Sequence, residues 1–305
     1  MVLSVSVLGC GDSTGTDTTT FLPGEIYFGT QQYIEYQAGD LPIVLVAPHG
    51  GDLTPASIPD RTSGVTSRDR NTQEVARAFA ATLFDRTGHR PHLVINRLHR
   101  VKLDANREIG EAAQGSAAAE TAWREFHEFI EAAKDAGVDD FGRGLYIDLH
   151  GHGHVIQRLE LGYLLSAADL ERSDALLDDA NLVAKSSIRA LVGQSSAGFV
   201  ALVRGAASMG GLLEPLGYPT VPSPTQPDPG GEPYFTGGYN TARHGSRDGG
   251  AISAMQIEMH FVGARDTEAS RTAFAAALAE ALEVYLATHF QVDLISPRPA
   301  ILLFR

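Results

Sequence analysis

The sequence predicts an α/β fold built on a mostly parallel sheet. Apolar runs of strand length alternate along the chain with segments of helical periodicity, and no internal repeat interrupts the alternation. Two of the strand-like runs end abruptly in histidine and glycine, the place where open α/β sheets carry their chemistry. The 305 residues, 43% hydrophobic and 20% charged, are an ordinary globular composition.

Taken in order, residues 25–37 and 42–47 read as strands, rich in Tyr, Ile and Val. Residues 72–86 place Val75, Ala76, Phe79, Ala80 and Leu83 at helical spacing. A short strand follows at 92–96, then a polar turn with Arg97, Arg100, Asp104, Asn106 and Arg107. Residues 117–136 form a second helix with Trp123, Phe126, Phe129 and Ile130 on one face. Strands are predicted at 145–149 and 159–165, and a mostly helical stretch at 167–191. From 216 to 240 the composition shifts: five prolines fall between Pro219 and Pro229, and Tyr234, Phe235 and Tyr239 follow among glycines. These signals predict a long loop, and the aromatics give it a function. A strand at 251–259 and an amphipathic helix at 267–290 complete the domain. Residues 1–24 are read as a signal- or tether-like segment and 25–305 as one catalytic domain.

The net charge of −13 argues against a nucleic-acid partner, which would require a basic face. The single cysteine, Cys10, leaves any metal to His, Asp and Glu. No run of eighteen uninterrupted apolar residues exists, so no transmembrane helix is predicted. Gly9-Cys10 after a short apolar stretch, followed by a Ser/Thr/Gly run, is similar to a bacterial lipoprotein signal. It predicts an exported protein tethered to a membrane through a lipid on Cys10. The first nine residues hold no Lys or Arg, which leaves a cytoplasmic protein as the alternative.

The chemistry concentrates in a few places. Ile43–Ala47 runs into Pro48-His49-Gly50-Gly51-Asp52, and Tyr146–Leu149 into His150-Gly151-His152-Gly153-His154. Two strand-end histidines and a carboxylate are the three protein ligands of a catalytic zinc, which lowers the pKa of water to about 7. His49, Asp52 and His150 are the predicted ligands, with Asp69, ahead of the first helix, as the rival acid. Manganese or cobalt would suit the same donors. By strand parity Asp148, His152 and His154 share a face with His150; Asp148 would orient a ligand imidazole, and the two histidines would serve substrate or proton transfer. Glu258, an acid in Met255–Met259, needs a partner or a task and is the candidate general base. Arg100, Asn106 and Arg107 would clamp a substrate carboxylate.

Pro48-His49-Gly50-Gly51, Asp104-x-Asn106-Arg107, Leu149-His150-Gly151-His152, Gly237-Gly238-Tyr239 and Gln256-Ile257-Glu258, in that order, resemble the N-formylglutamate amidohydrolase family, related in fold to zinc carboxypeptidases and aspartoacylase. The resemblance implies a three-layer α/β/α, phosphorylase/hydrolase-like domain with one zinc that cleaves the amide of an N-acyl amino acid such as N-formylglutamate. It makes His49 and His150 zinc ligands and Glu258 the catalytic base. Asn106 and Arg107 would hold the substrate carboxylate, Arg100 would lie near the scissile carbonyl, and Tyr239 would belong to a loop over the site. A lipid-tethered enzyme would act on N-acyl amino acids or short peptides. A carboxypeptidase would use the same residues, and a surface-tethered binding protein could keep this fold without the chemistry.

Overall fold

The computed structural model describes residues 20–294; Cys10 and most of the predicted tether lie outside them. The chain opens with a hairpin, β1 (Ile26–Phe28) and β2 (Ile34–Gln37). The sequence predicts one strand there, but a 3-10 turn at Thr30–Gln32 divides it. Then come β3 (Ile43–Ala47), α1 (Thr72–Thr87), β4 (His92–Asn96), α2 (Ile109–Ala113), α3 (Ala117–Phe141), β5 (Gly144–Gly151) and β6 (Leu159–Gly162).

The predicted helical stretch at 167–191 is four short helices, α4 (Ala167–Leu170), α5 (Asp174–Leu177), α6 (Ala180–Lys185) and α7 (Arg189–Gln194). Side-chain caps start two of them: Ser166 with Asp169 forms a capping box, and Asp179 accepts from the Asn181 N–H. Two more helices that sequence periodicity does not reveal follow, α8 (Phe199–Arg204) and α9 (Met209–Leu213). The long loop contains β7 (Thr220–Val221), and its end is taken up by α10 (Tyr239–His244). β8 (Ile252–Met259) and α11 (Glu268–Tyr285) close the fold.

All eight strands join one sheet in the order β1-β2-β4-β3-β5-β8-β6-β7. Its centre, β4-β3-β5-β8, is parallel; β1 runs antiparallel to β2, β2 to β4 and β6 to β8, and β6 and β7 are parallel to each other. The architecture is a three-layer α/β/α fold with a mixed, mostly parallel sheet. α3 covers one face, over Val44, Val46, Val94 and Tyr146. α1, α11 and the short helices cover the other, over Leu45, Ile95, Ile147, Leu149 and Ile257. Segments 199–216 and 268–290 are apolar and long enough by composition to cross a membrane, and here that apolar character packs into this second layer.

Covering both faces explains why the central strands read as nearly continuous apolar runs. It also makes their polar residues conspicuous. Asp148 and His150 of β5 and Gln256 and Glu258 of β8 are buried on the α3 side. Replacing Ile147, fully buried on the opposite side of β5, with alanine is expected to destabilise the protein by about 2–5 kcal/mol, read from urea unfolding. A change below about 0.5 kcal/mol would contradict the placement of this strand in the core.

Candidate active site and metal centre

The ends of β3 and β5 bring three donor atoms together. His49 Nδ1 lies 3.1 Å from His150 Nδ1, His150 Nδ1 lies 3.1 Å from Asp69 Oδ2, and His49 Nδ1 lies 3.5 Å from the same oxygen. Three donors at the corners of a tetrahedron with ~2.0–2.1 Å arms stand about 3.3 Å apart, so this triangle has the size a divalent metal needs. Asp69 reaches it because the 48–71 loop folds back, its N–H bonded to His49 O at 3.0 Å.

The outer nitrogens are held as well. His49 Nε2 meets Asp104 Oδ1 at 2.6 Å, and Asp104 in turn accepts from Arg100 Nε at 3.0 Å. His150 Nε2 lies 3.2 Å from Asp148 Oδ2 and 3.1 Å from the Asn106 amide nitrogen. A proton kept at His49 Nε2 by Asp104 leaves its Nδ1 lone pair aimed into the triangle. Three buried carboxylates, Asp69, Asp104 and Asp148, thus surround two imidazoles, and the cluster calls for positive charge. Burial alone would raise Asp69, but hydrogen bonds from His150 and His49 hold it well below the ordinary carboxyl range. Burial would likewise raise Asp104, and the charges of His49 and Arg100 hold it low. Burial would lower His150, yet Asp148 and Asp69 push it well above an ordinary imidazole. Donor type, spacing and charge all fit a divalent cation.

Register places the next group. His150 pairs with Glu258 across β5 and β8, and Glu258 pairs with Glu160 across β8 and β6. The three form a row on one face of the sheet. The Glu258 carboxyl accepts from Gln256 Nε2 at 2.9 Å. Burial pushes it up to about 8, against the pull of His150 and with help from Asp69 and Glu160. Such a carboxyl can take up and release a proton near neutral pH.

Of the predicted residues, His49 and His150 meet as expected, and the acid beside them is Asp69. Asp52 is exposed and outside the cluster, because the chain leaves β3 through Gly50-Gly51 and an isolated bridge at Leu53 carries Asp52 away. A Cβ on Gly51 would strike the backbone of Arg97 and Leu98, so the tight turn is fixed. Arg100 does not stand free beside the site; it is tied to Asp104 and lies 3.6 Å from Asp69. Asn106 is committed to His150 and to the Asn240 N–H, which it accepts at 2.7 Å.

Arg107 is half-buried, paired with Glu111 at 3.3 Å, while its carbonyl holds Trp123 Nε1 at 2.9 Å. His152 is buried with both nitrogens used, one on Arg158 O at 2.8 Å and one accepting the His154 N–H at 3.1 Å. One of its ring nitrogens also lies within reach of His154 and Glu160, a second group of His and acid donors. Tyr239 starts α10 beside Trp123, and its hydroxyl accepts from Arg243 at 3.0 Å. Sequence reasoning missed Glu160, whose signal, an acid within Leu159–Gly162, is the one that reveals Glu258.

No protein-family model matches the chain, and no curated protein matches it. Among solved structures, an N-formylglutamate amidohydrolase from Ralstonia eutropha aligns with a TM-score of 0.51 at 13% identity, over 85% of this chain and 99% of that one. A gene product from Agrobacterium tumefaciens aligns at 0.48 and 16% identity, over 84% and 95%. An N-acetylmuramyl-L-alanine amidase from Mycobacterium smegmatis aligns at 0.39 and 13% identity, over 80% and 96%. The first of these has the fold that the sequence resemblance implies, and this chain shares that fold.

Two outcomes follow from the cluster. Asp69→Asn is expected to weaken zinc binding by more than the roughly 10–100-fold that loss of an outer-sphere partner costs, while Asp52→Asn leaves it unchanged. Calorimetric titration with zinc checks this, and equal losses in both variants would refute the ligand set. In the metal-free protein, the raised Glu258 carboxyl contributes stability below about pH 4.5 that is lost as pH rises through about 8. Glu258→Gln should therefore gain on the wild type across that window, by on the order of a few kcal/mol. Parallel stability curves would show that Glu258 is ionised throughout.

Proposed function

We propose that the protein is a metal-dependent hydrolase that cleaves the amide bond of an N-acyl amino acid. The observation that carries this reading is the row from the His49–Asp69–His150 triangle to Glu258, one strand away in register. A divalent metal, most simply zinc, held by those three side chains would polarise a carbonyl and acidify water.

The chain's own groups supply the rest. Glu258 takes a proton from water as its oxygen attacks the amide carbon, then delivers that proton to the amine nitrogen as the C–N bond breaks. The products are a carboxylic acid and a free amine, and the glutamate ends as it began. Asp104 keeps the outer nitrogen of His49 protonated and so holds that ring in orientation, while Asp148 sets a negative charge 3.2 Å from His150 Nε2. Arg100 holds Asp104 in place. Arg107, 37% exposed at its side chain, retains donors for a substrate carboxylate. The name of the Ralstonia eutropha structure agrees with this class of reaction. A carboxypeptidase would draw on the same groups, and peptides assayed beside N-acyl amino acids separate the two.

Glu258→Gln is expected to keep the fold and one metal per chain while kcat falls by about 100- to 10,000-fold. Turnover of N-formyl- and N-acetyl-amino acids, measured beside metal content, tests this. Near-normal turnover in the variant would remove Glu258 from the reaction, and no hydrolysis of any amide by the metal-loaded wild type would overturn the reading.

A further inference from the structure

The row across the sheet does not end at Glu258. Glu160, on the next strand, is fully occupied: one oxygen meets His154 Nδ1 at 2.8 Å and the other accepts the Phe235 N–H at 2.9 Å. It is therefore closed to substrate, and what it holds matters instead. The His154 and Phe235 rings stack at 4.8 Å with 5° between their planes. Phe235 is 42% exposed, and Val155 and Ile156, next in the chain to His154, are 94% and 38% exposed. Exposed apolar groups gathered beside a polar centre mark a binding site rather than ordinary surface.

The strand spacing gives the scale. Two steps of ~4.8 Å separate the backbone of β5 from that of β6, so the stacked pair stands on the order of 10 Å from the metal ligands. The loop that carries Phe235 runs from Glu160 to Asn106, where Gly238 packs against the Asn106 amide. One end of this loop is thus seated on Asn106, next in the chain to Arg107, and the other carries the ring pair.

We propose that His154, Phe235, Val155 and Ile156 form an acyl subsite, and that the substrate carries an aromatic or aliphatic acyl group in place of formyl. The proposal rests on the amide-hydrolase reading: the amino-acid half lies toward Arg107, which directs the acyl half across Glu258 to the stacked rings. A formyl group ends at the scissile carbon and leaves this surface uncovered. A benzoyl or hexanoyl group reaches it and removes apolar area from water. His154 and Glu160 here are positioning residues, since they set the ring of Phe235 and touch no reacting atom.

The test separates binding from turnover. In zinc-loaded Glu258→Gln protein, N-formyl-, N-hexanoyl- and N-benzoyl-L-glutamate are titrated by calorimetry. The benzoyl and hexanoyl compounds are expected to bind roughly 10- to 100-fold tighter than the formyl compound. Phe235→Ala in the same background should remove most of that preference and leave the formyl affinity within about twofold. His154→Gln and Glu160→Gln, which loosen the Phe235 seat, should weaken the preference in step. Equal affinities across the three acyl groups, or a preference that survives Phe235→Ala, would overturn the subsite. Failure of the metal-loaded wild type to hydrolyse any N-acyl amino acid would overturn the amide-hydrolase reading instead, with the binding preference read independently.

Discussion

The register of three neighbouring strands is the constraint on which the site depends. β5, β8 and β6 are paired so that His150, Glu258 and Glu160 fall in one row on one face. A slip of one residue would turn every one of these side chains to the opposite layer, where Ile147, Leu149 and Ile257 now pack. The apolar core and the polar row therefore specify each other. The hydrophobic face fixes the register, and the register sets the spacing between His150 and Glu258.

The charge balance of the row is equally tied to the fold. Burying Asp69, Asp104 and Asp148 around two imidazoles costs solvation that only positive charge or hydrogen bonds can offset. Arg100 and Arg61, the latter 3.8 Å from Asp104, supply part of it. Arg61 is itself held by three carbonyls, those of Val65, Arg100 and Ser63, and so stitches the 48–71 loop to the turn after β4. The same bonds that bring Asp69 to the site thus also tie down the cations that make its burial tolerable.

Much of this was legible in the sequence. Strand-end histidines were visible because the runs before them are uniformly apolar, and Glu258 because an acid inside such a run is out of place. The parallel centre of the sheet followed from alternating elements, and the resemblance to known amidohydrolases anticipated the three layers. The identity of the acidic partner was not legible. His49-x-x-Asp52 has the right local spacing, but the Gly50-Gly51 turn and the bridge at Leu53 decide where Asp52 points, and both are tertiary facts. Asp69 arrives through twenty residues of loop that carry no periodic signal. The six short helices from Ala167 to Leu213 were blurred for a related reason: each ends within two turns, too few residues for a 3.6-residue period to emerge.

The loop between β7 and α10 is fastened at two separated points. At one end Glu160 and the Leu161 carbonyl hold Phe235 and Tyr234; at the other, Asn106 holds the Asn240 N–H. Gly162 and Gly237 lie so close that a Cβ on Gly162 would enter the backbone of its neighbour. Outside these anchors, Gly230 through Glu232 is exposed and, among the described residues, forms no hydrogen bond or ion pair with His49, Asp69, His150 or Glu258. Descendants of this chain can therefore exchange that outer stretch, and with it the shape presented to solvent, while the machinery beneath is inherited intact. Selection on what the protein recognises and selection on how fast it reacts would act on different residues.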